Sequence, residues 1–224
     1  MHRIITPLAL ATTLATTSFA AADLVLPVTE NFDAGAASWF DGASVGEVDW
    51  VASGGAIDNG GFITDAVSVP AVPPPFGLTA FRAQDEFGSS DGRFEGDWIA
   101  AGATQLSFFV RHDGAAPLNV FARFAGPANF PGAAGVVFQP VLPGTWTEVF
   151  IDVTESSAQL VLEGSTHADV FSNIGHLQIG FTPGEADFGT TVQFDIDGVR
   201  LVPAPAGLAM LSIAGLVAGR RRRD

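Results

Sequence analysis

Four carboxylates, two near each end of the chain's central region, make the strongest case for chemistry. Glu30 and Asp33 flank Phe32 in the run Glu30-Asn-Phe-Asp33, and Asp195 and Asp197 are separated by one residue in Phe194-Asp-Ile-Asp197-Gly198. Alternate residues of a strand point to the same side, so Glu30 shares a face with Phe32, and Asp195 with Asp197. Carboxylates and backbone carbonyls are hard oxygen donors, the ligand type that calcium takes. The alternative is a set of acids that only cap strand ends. An EF-hand is excluded, because Asp195-Ile-Asp197-Gly198 lacks the third ligand before the glycine and the distal glutamate.

Tryptophans are the second kind of candidate, since a glycan ring stacks on an aromatic face. Trp50 and Trp98 lie beside Asp49 and Asp97 and are the candidates for exposure and glycan contact, with core packing as the alternative for each. Trp39 and Trp146 occupy positions that read as core. Catalytic signals are weaker. Gly88-Ser-Ser90-Asp-Gly92 matches the nucleophile-elbow pattern, but that motif needs a helix after it, and Arg93–Ile99 reads as another strand. Glu95 and Asp97 would share a face of that strand, as the two acids of a glycosidase must share a cleft. His112, His167 and His176 show no metal-ligand spacing.

The elements that position these residues are short strands. Glycine and proline punctuate the chain about every ten residues, with apolar alternation between them. The expected strands are Leu24–Phe32, Glu47–Val51, Gly61–Val69, Leu78–Gln84, Arg93–Ile99, Thr104–His112, Leu118–Ala125, Val136–Gln139, Thr145–Val153, Ala158–Glu163, Ile174–Thr182 and Thr191–Val202. Leu106, Phe108 and Val110 oppose Ser107, Phe109 and Arg111. Val120, Ala122 and Phe124 oppose Asn119, Phe121 and Arg123. No convincing amphipathic helix and no repeat intervenes, so the fold class is all-β, a two-sheet antiparallel β-sandwich.

Both ends read as export signals. Met1-His2-Arg3 is a basic start, Ile4–Leu14 is apolar, and Ser18-Phe19-Ala20 and Ala20-Ala21-Ala22 satisfy the small-x-small cleavage rule, which makes residues 1–22 a signal peptide for signal peptidase. At the other end Val202-Pro-Ala-Pro-Ala leads into an apolar stretch and the basic stop Arg220–Arg223. The stretch 206–219 would be about 21 Å long as a helix, short of a ~30 Å hydrocarbon core. The β-sandwich therefore occupies residues 23–202, with a membrane-directed tail over 202–224.

Composition limits the partners. All 24 acidic residues except Asp224 lie in the body, against Arg82, Arg93, Arg111, Arg123 and Arg200, and there is no lysine. A domain charge of about −18 repels phosphate backbones, which argues against nucleic acid, and attracts divalent cations. With no cysteine there is neither a disulfide framework nor a thiolate metal site. Phe is abundant at 19 while Tyr is absent, which suits sheet interiors because Phe has no polar tip.

Three stretches carry a resemblance. They are Glu30-Asn-Phe-Asp33 followed by Trp39, then Gly144-Thr-Trp146-Thr-Glu-Val-Phe-Ile-Asp152, and finally Ile174–Gly180 with Phe194-Asp-Ile-Asp197-Gly-Val-Arg-Leu201. Together they resemble jelly-roll domains of the carbohydrate-binding-module and laminin-B type. In such domains the first and last strands lie close together and often hold a structural calcium. The resemblance therefore implies a calcium site drawn from Glu30, Asp33, Asp195 and Asp197.

The tail resembles the PEP-CTERM class of sorting signals, in its Val-Pro-x-Pro-Ala form, through Val202, Pro203, Ala204, Pro205 and the arginines Arg220, Arg221, Arg222 and Arg223. Ala204 stands where that class usually has an acid. The resemblance implies transient anchoring in the inner membrane, processing by an exosortase, and delivery to the cell surface or extracellular matrix beside exopolysaccharide. The expected function is thus a non-catalytic surface or matrix β-sandwich. A carbohydrate-binding module with a specific glycan site is the alternative, and a polysaccharide hydrolase acting through Glu95 and Asp97 a second one.

Overall fold

A computed structural model describes residues 24–204. The signal peptide, Pro205, the apolar stretch and Arg220–Arg223 lie outside the described residues. Two six-stranded antiparallel sheets face one another. The first runs β3 (Asp49–Val51), β4 (Phe62–Ser68), β12 (Thr191–Pro203), β6 (Ala103–His112), β9 (Thr147–Asp152), with β1 (Val28–Glu30) also paired to β12. The second runs β10 (Leu160–Leu162), β8 (Gly132–Val136), β7 (Asn119–Ala125), β11 (His176–Thr182), β5 (Leu78–Gln84), β2 (Phe40–Asp41). This is the expected sandwich of the jelly-roll type.

Alternation explains how the layers meet. Leu106, Phe108 and Val110 of β6 and Val120, Ala122 and Phe124 of β7 are fully buried between the sheets, as their period-2 pattern requires. Aromatic side chains fill the interior in three groups. Phe194 packs against Phe81 and Phe181, Trp98 against Phe124 and Phe171, and Trp39 edge-on against Phe32 and Phe94. Offset and edge-on ring contacts of this kind each add about 0.5–1.5 kcal/mol beyond area burial.

Several expectations need correction. Arg93–Ile99 is not a strand: tight turns carry the chain there, and Gly96 alone bridges to Ile174. The strand expected at Val136–Gln139 lies earlier, at Gly132–Val136. Gly135 is required in it, because a Cβ there would stand 3.1 Å from the Phe124 ring and overlap Ile151. A five-residue helix, α1 (His167–Phe171), is capped by Thr166 and Asp169 in a reciprocal box. The last strand runs one residue past the expected Val202. Val202 is paired with Gln105 and Pro203 with Ala103, so the first half of the tail motif belongs to the sheet.

Candidate functional site

The four carboxylates of the expected calcium site do not converge. In β12, Phe194 and Ile196 point inward, yet so do Val199 and Leu201. One extra residue between Asp197 and Arg200 restores that parity, and Gly198 makes the bulge with a left-handed φ of 57°. Glu30 lies opposite Val199, and paired residues share a face, so Glu30 stands on the core side of the sheet. There it pairs with Arg93 at 2.6 Å and accepts the Phe32 N–H. Asp195 is on the outer face, held by Arg111 at 2.7 Å and by the Thr64 hydroxyl.

Asp33 and Asp197 remain. Asp197 is fully buried beneath the loop between β3 and β4, where its oxygens accept N–H groups from Ile57 (2.9 Å) and Gly198 (2.6 Å). Burial pushes its carboxyl above the ordinary range; these backbone donors act against the shift, and Asp33 adds to it. Calcium takes six to eight oxygens. Glu30 and Asp195 are committed to arginines, so of the four acids only Asp33 and Asp197 are left, and any calcium shell there would have to be completed by backbone carbonyls.

The tryptophan expectations also change. Trp98 is 1% exposed, with its indole N–H donating to Phe94 O, so it is a core residue and cannot contact a glycan. Trp50 is 38% exposed on the first sheet and is tied down through Nε1 to Phe32 O at 2.6 Å. Trp146 is only half-buried. Its ring and that of Phe62 flank the Arg111 guanidinium at 4.5 and 4.8 Å. Ser89 and Ser90 are buried in a 3-10 turn, where Ser90 Oγ accepts the Trp39 indole N–H, which is a structural use of the Gly88–Gly92 motif. Asp97 accepts the Ala100 N–H and caps the next turn, and the strand that would put Glu95 and Asp97 on one face is absent. Burial, then Asp85 and Glu86, raise the Glu95 carboxyl.

The side chains able to hold a ligand gather elsewhere, on the outward face of the second sheet. Register sets Phe40, Arg82, Gln178, Arg123, Ala134 and Val161 in one row across β2, β5, β11, β7, β8 and β10. The next row reads Thr79, Gly180, Phe121 and Val136. Gly180 and Gly77 matter here, since a Cβ on Gly180 would stand 2.8 Å from Phe121 Cζ and one on Gly77 3.0 Å from Cδ1. The Phe121 ring therefore lies on the sheet rather than rising from it. Phe76, 83% exposed, helps line the same groove of about 650 Å³, together with Thr79, Asn119, Arg123, Glu163 and Thr182.

A polar network stiffens this face. Arg123 donates from Nε and Nη2 to the two Glu163 oxygens at 2.7 Å each, and from Nη1 to Asn129 Oδ1 at 2.7 Å. Gln178 Nε2 donates to the same Asn129 oxygen at 3.2 Å. Arg82 donates to Gly42 O at 2.8 Å, and burial, then the Arg123 charge, lower its pKa. A planar apolar ring beside fixed guanidinium and amide groups is suited to a sugar, with one face stacked and its hydroxyls hydrogen-bonded. The sequence carried a trace of this face: Phe121 falls in the polar phase of an otherwise regular alternation.

No protein-family model matches the sequence, and no curated protein matches it either. Solved structures do match in fold. The family 11 carbohydrate-binding module from Clostridium thermocellum, solved with a beta-1,3-1,4-mixed-linked tetrasaccharide, is 14% identical at a TM-score of 0.50 over 80% of this chain and 97% of that one. The CBM22-1 xylan-binding domain of Paenibacillus barcinonensis Xyn10C is 15% identical, at 0.46, over 83% of this chain and all of that one. The CBM22-1-GH10 modules of Clostridium thermocellum endo-1,4-beta-D-xylanase 10B are 17% identical, at 0.46. There 80% of this chain spans 28% of that chain. The likeness to the family 11 module is one of fold.

Proposed function

We propose that this domain is a non-catalytic carbohydrate-binding module whose site is the outward face of the second sheet. The observation that carries the reading is the Phe121 ring laid flat over Gly77 and Gly180, one row from Arg82, Gln178 and Arg123. Stacking on Phe121 would supply affinity, and the guanidinium and amide groups would select the hydroxyl pattern. The acidic domain repels acidic polymers, so the ligand class is a neutral glycan. The mixed-linkage tetrasaccharide of the family 11 module makes β-glucans the first to try.

Affinity electrophoresis of the full chain against mixed-linkage β-glucan and xylan tests the reading. Retardation by at least one polymer, lost in Phe121→Ala, is the expected result. Retardation unchanged in that variant, or absent on every neutral glycan tried, rejects it.

The module is delivered, in this reading, by its termini: a cleaved signal peptide, transient anchoring in the inner membrane, and exosortase processing at Val202-Pro-Ala-Pro-Ala for release or surface attachment near exopolysaccharide. The support is the order of the tail, a proline motif followed by an apolar stretch and arginines. Mass spectrometry of the secreted protein checks it, with a new C-terminus near Pro205 expected. A mature chain still ending at Asp224 reduces the tail to a plain anchor.

A further inference from the structure

His176 opens β11 opposite Gln84, the last residue of β5, so the two residues that continue the chain, Asp85 and Glu86, stand at its ring. The imidazole is 4% exposed. Nε2 lies 3.0 Å from Glu86 Oε2 and 3.4 Å from Asp85 Oδ1, yet it makes no hydrogen bond to either. A buried ring nitrogen without a partner is rare in a folded protein and asks for a cause. His112 and His167, by contrast, each place Nε2 against a backbone carbonyl.

The other ring nitrogen completes the picture. Nδ1 sits between two side-chain amides, 3.2 Å from Gln84 Nε2 and 3.3 Å from Asn129 Oδ1; in the tautomer that donates an Nδ1 proton to Asn129, the Nε2 lone pair faces the two carboxylates. Three acceptors then meet around one point, all within 4.8 Å of one another. Either a proton on Nε2 or a bound metal ion relieves that arrangement.

We infer that His176 Nε2, one Asp85 oxygen and one Glu86 oxygen ligate a divalent transition-metal ion, with zinc the best fit. Tetrahedral zinc bonds of about 2.0–2.2 Å place two ligand atoms about 3.3–3.6 Å apart. Asp85 Oδ1 stands at that spacing from Nε2, and Glu86 Oε2, at 3.0 Å on a half-exposed side chain, needs only a small outward shift. An imidazole donor favours zinc over calcium or magnesium, which prefer oxygen alone. Asn129 Oδ1 is the outer partner that would accept the Nδ1 proton of the metal-bound ring. Because Asn129 also receives Arg123 and Gln178, the ion would anchor the rim of the sheet face. Three protein ligands leave a coordination position open on the side of Glu86, whose side chain is half-exposed.

Zinc titration of the full chain against a chromophoric chelator tests the inference. Glu86→Gln and Asp85→Asn serve as variants, with circular dichroism to verify folding; both side chains are accessible enough for the fold to survive. One zinc per chain is expected, bound at least tenfold more weakly by either variant and not displaced by equimolar calcium. Zinc should raise the melting temperature of the parent and leave that of the variants unchanged. The inference is overturned if the parent binds no zinc or if folded variants bind it equally well. It also fails if nitrogen NMR of the zinc-equilibrated parent finds both His176 ring nitrogens protonated, the sign of a bridging imidazolium. None of these outcomes touches glycan retention through Phe121, so the two readings fail separately.

Discussion

Phe121 on β7 lies across Gly180 on β11, one strand away, and each residue requires the other's shape. A methyl group at 180 would stand 2.8 Å from Phe121 Cζ and overlap the Leu78 carbonyl as well. Backbone cannot retreat as a flexible side chain can. Gly180→Ala is therefore expected to destabilise the domain by about 1–3 kcal/mol, read from urea unfolding, and to weaken glycan retention. Phe121→Ala should abolish retention while costing stability less than a core aromatic does, because the ring packs on one side only. A variant pair with the opposite order of stability would contradict the flat-ring geometry.

Asp197 gives a second expectation. Its buried oxygens accept backbone N–H groups from Ile57 and Gly198. Asp197→Ala orphans buried donors and should cost about 2–4 kcal/mol at neutral pH. Removing calcium with a chelator should leave the parent's melting midpoint where it was, since the four-carboxylate cage is not assembled. A chelator-dependent midpoint that calcium alone restores would overturn that reading.

Asp65 on β4 supplies the pH prediction. Burial, then the charge of Asp41, with a smaller share from Asp49, raise its carboxyl above the ordinary 3.8, against a backbone N–H from Ala66. A raised folded pKa means that the native state binds the proton more tightly than the unfolded chain. This contribution to stability is whole below about pH 3.8 and is lost as pH rises through the folded value. Asp65→Asn should thus stabilise the domain at pH 7 and have almost no effect at pH 3. Equal effects at both pH values would show that the carboxyl is not under this strain.

The tryptophans supply a fourth. Trp98→Ala should cost about 3–5 kcal/mol or prevent folding, because the indole packs against Phe124 and Phe171. Trp50→Ala, at a half-open position with one hydrogen bond to Phe32 O, should cost about 1–2 kcal/mol and leave glycan retention intact. Loss of retention in a folded Trp50 variant would move the site to the other sheet.

Much of the fold can be read along the chain where alternation is regular. Leu78–Gln84 has the same bounds in sequence and structure, and the inward sets of β6 and β7 are those the pattern implies. Reading fails where small residues carry a strand. Gly132-Ala-Ala-Gly135 looks like loop, yet it is small because Phe124 and Ile151 crowd it. Exchange of the roles expected for Trp98 and Trp146 has a similar cause. Neighbouring acids do not expose a tryptophan on a turn that folds inward, and a strand-like run does not bury one whose partner is an outward arginine.

The site was harder to see because no single strand carries it. Arg82, Gln178 and Arg123 are far apart in sequence and become neighbours only through the strand order β5-β11-β7. Asp85, Glu86 and His176 meet for the same reason. One local event also undid the expected calcium set: the bulge at Gly198 turns the last third of β12 over, so Glu30 and Asp197 end on opposite faces.

β12 is shared by β1, β4 and β6, and its final residues, Val202 and Pro203, still lie along β6. Any pull on the chain beyond Ala204 enters the domain through the strand on which three others depend. Gentle tension would be carried by the whole first sheet. Tension strong enough to peel β12 would leave no peripheral part to yield first, so a tethered domain of this design fails all at once.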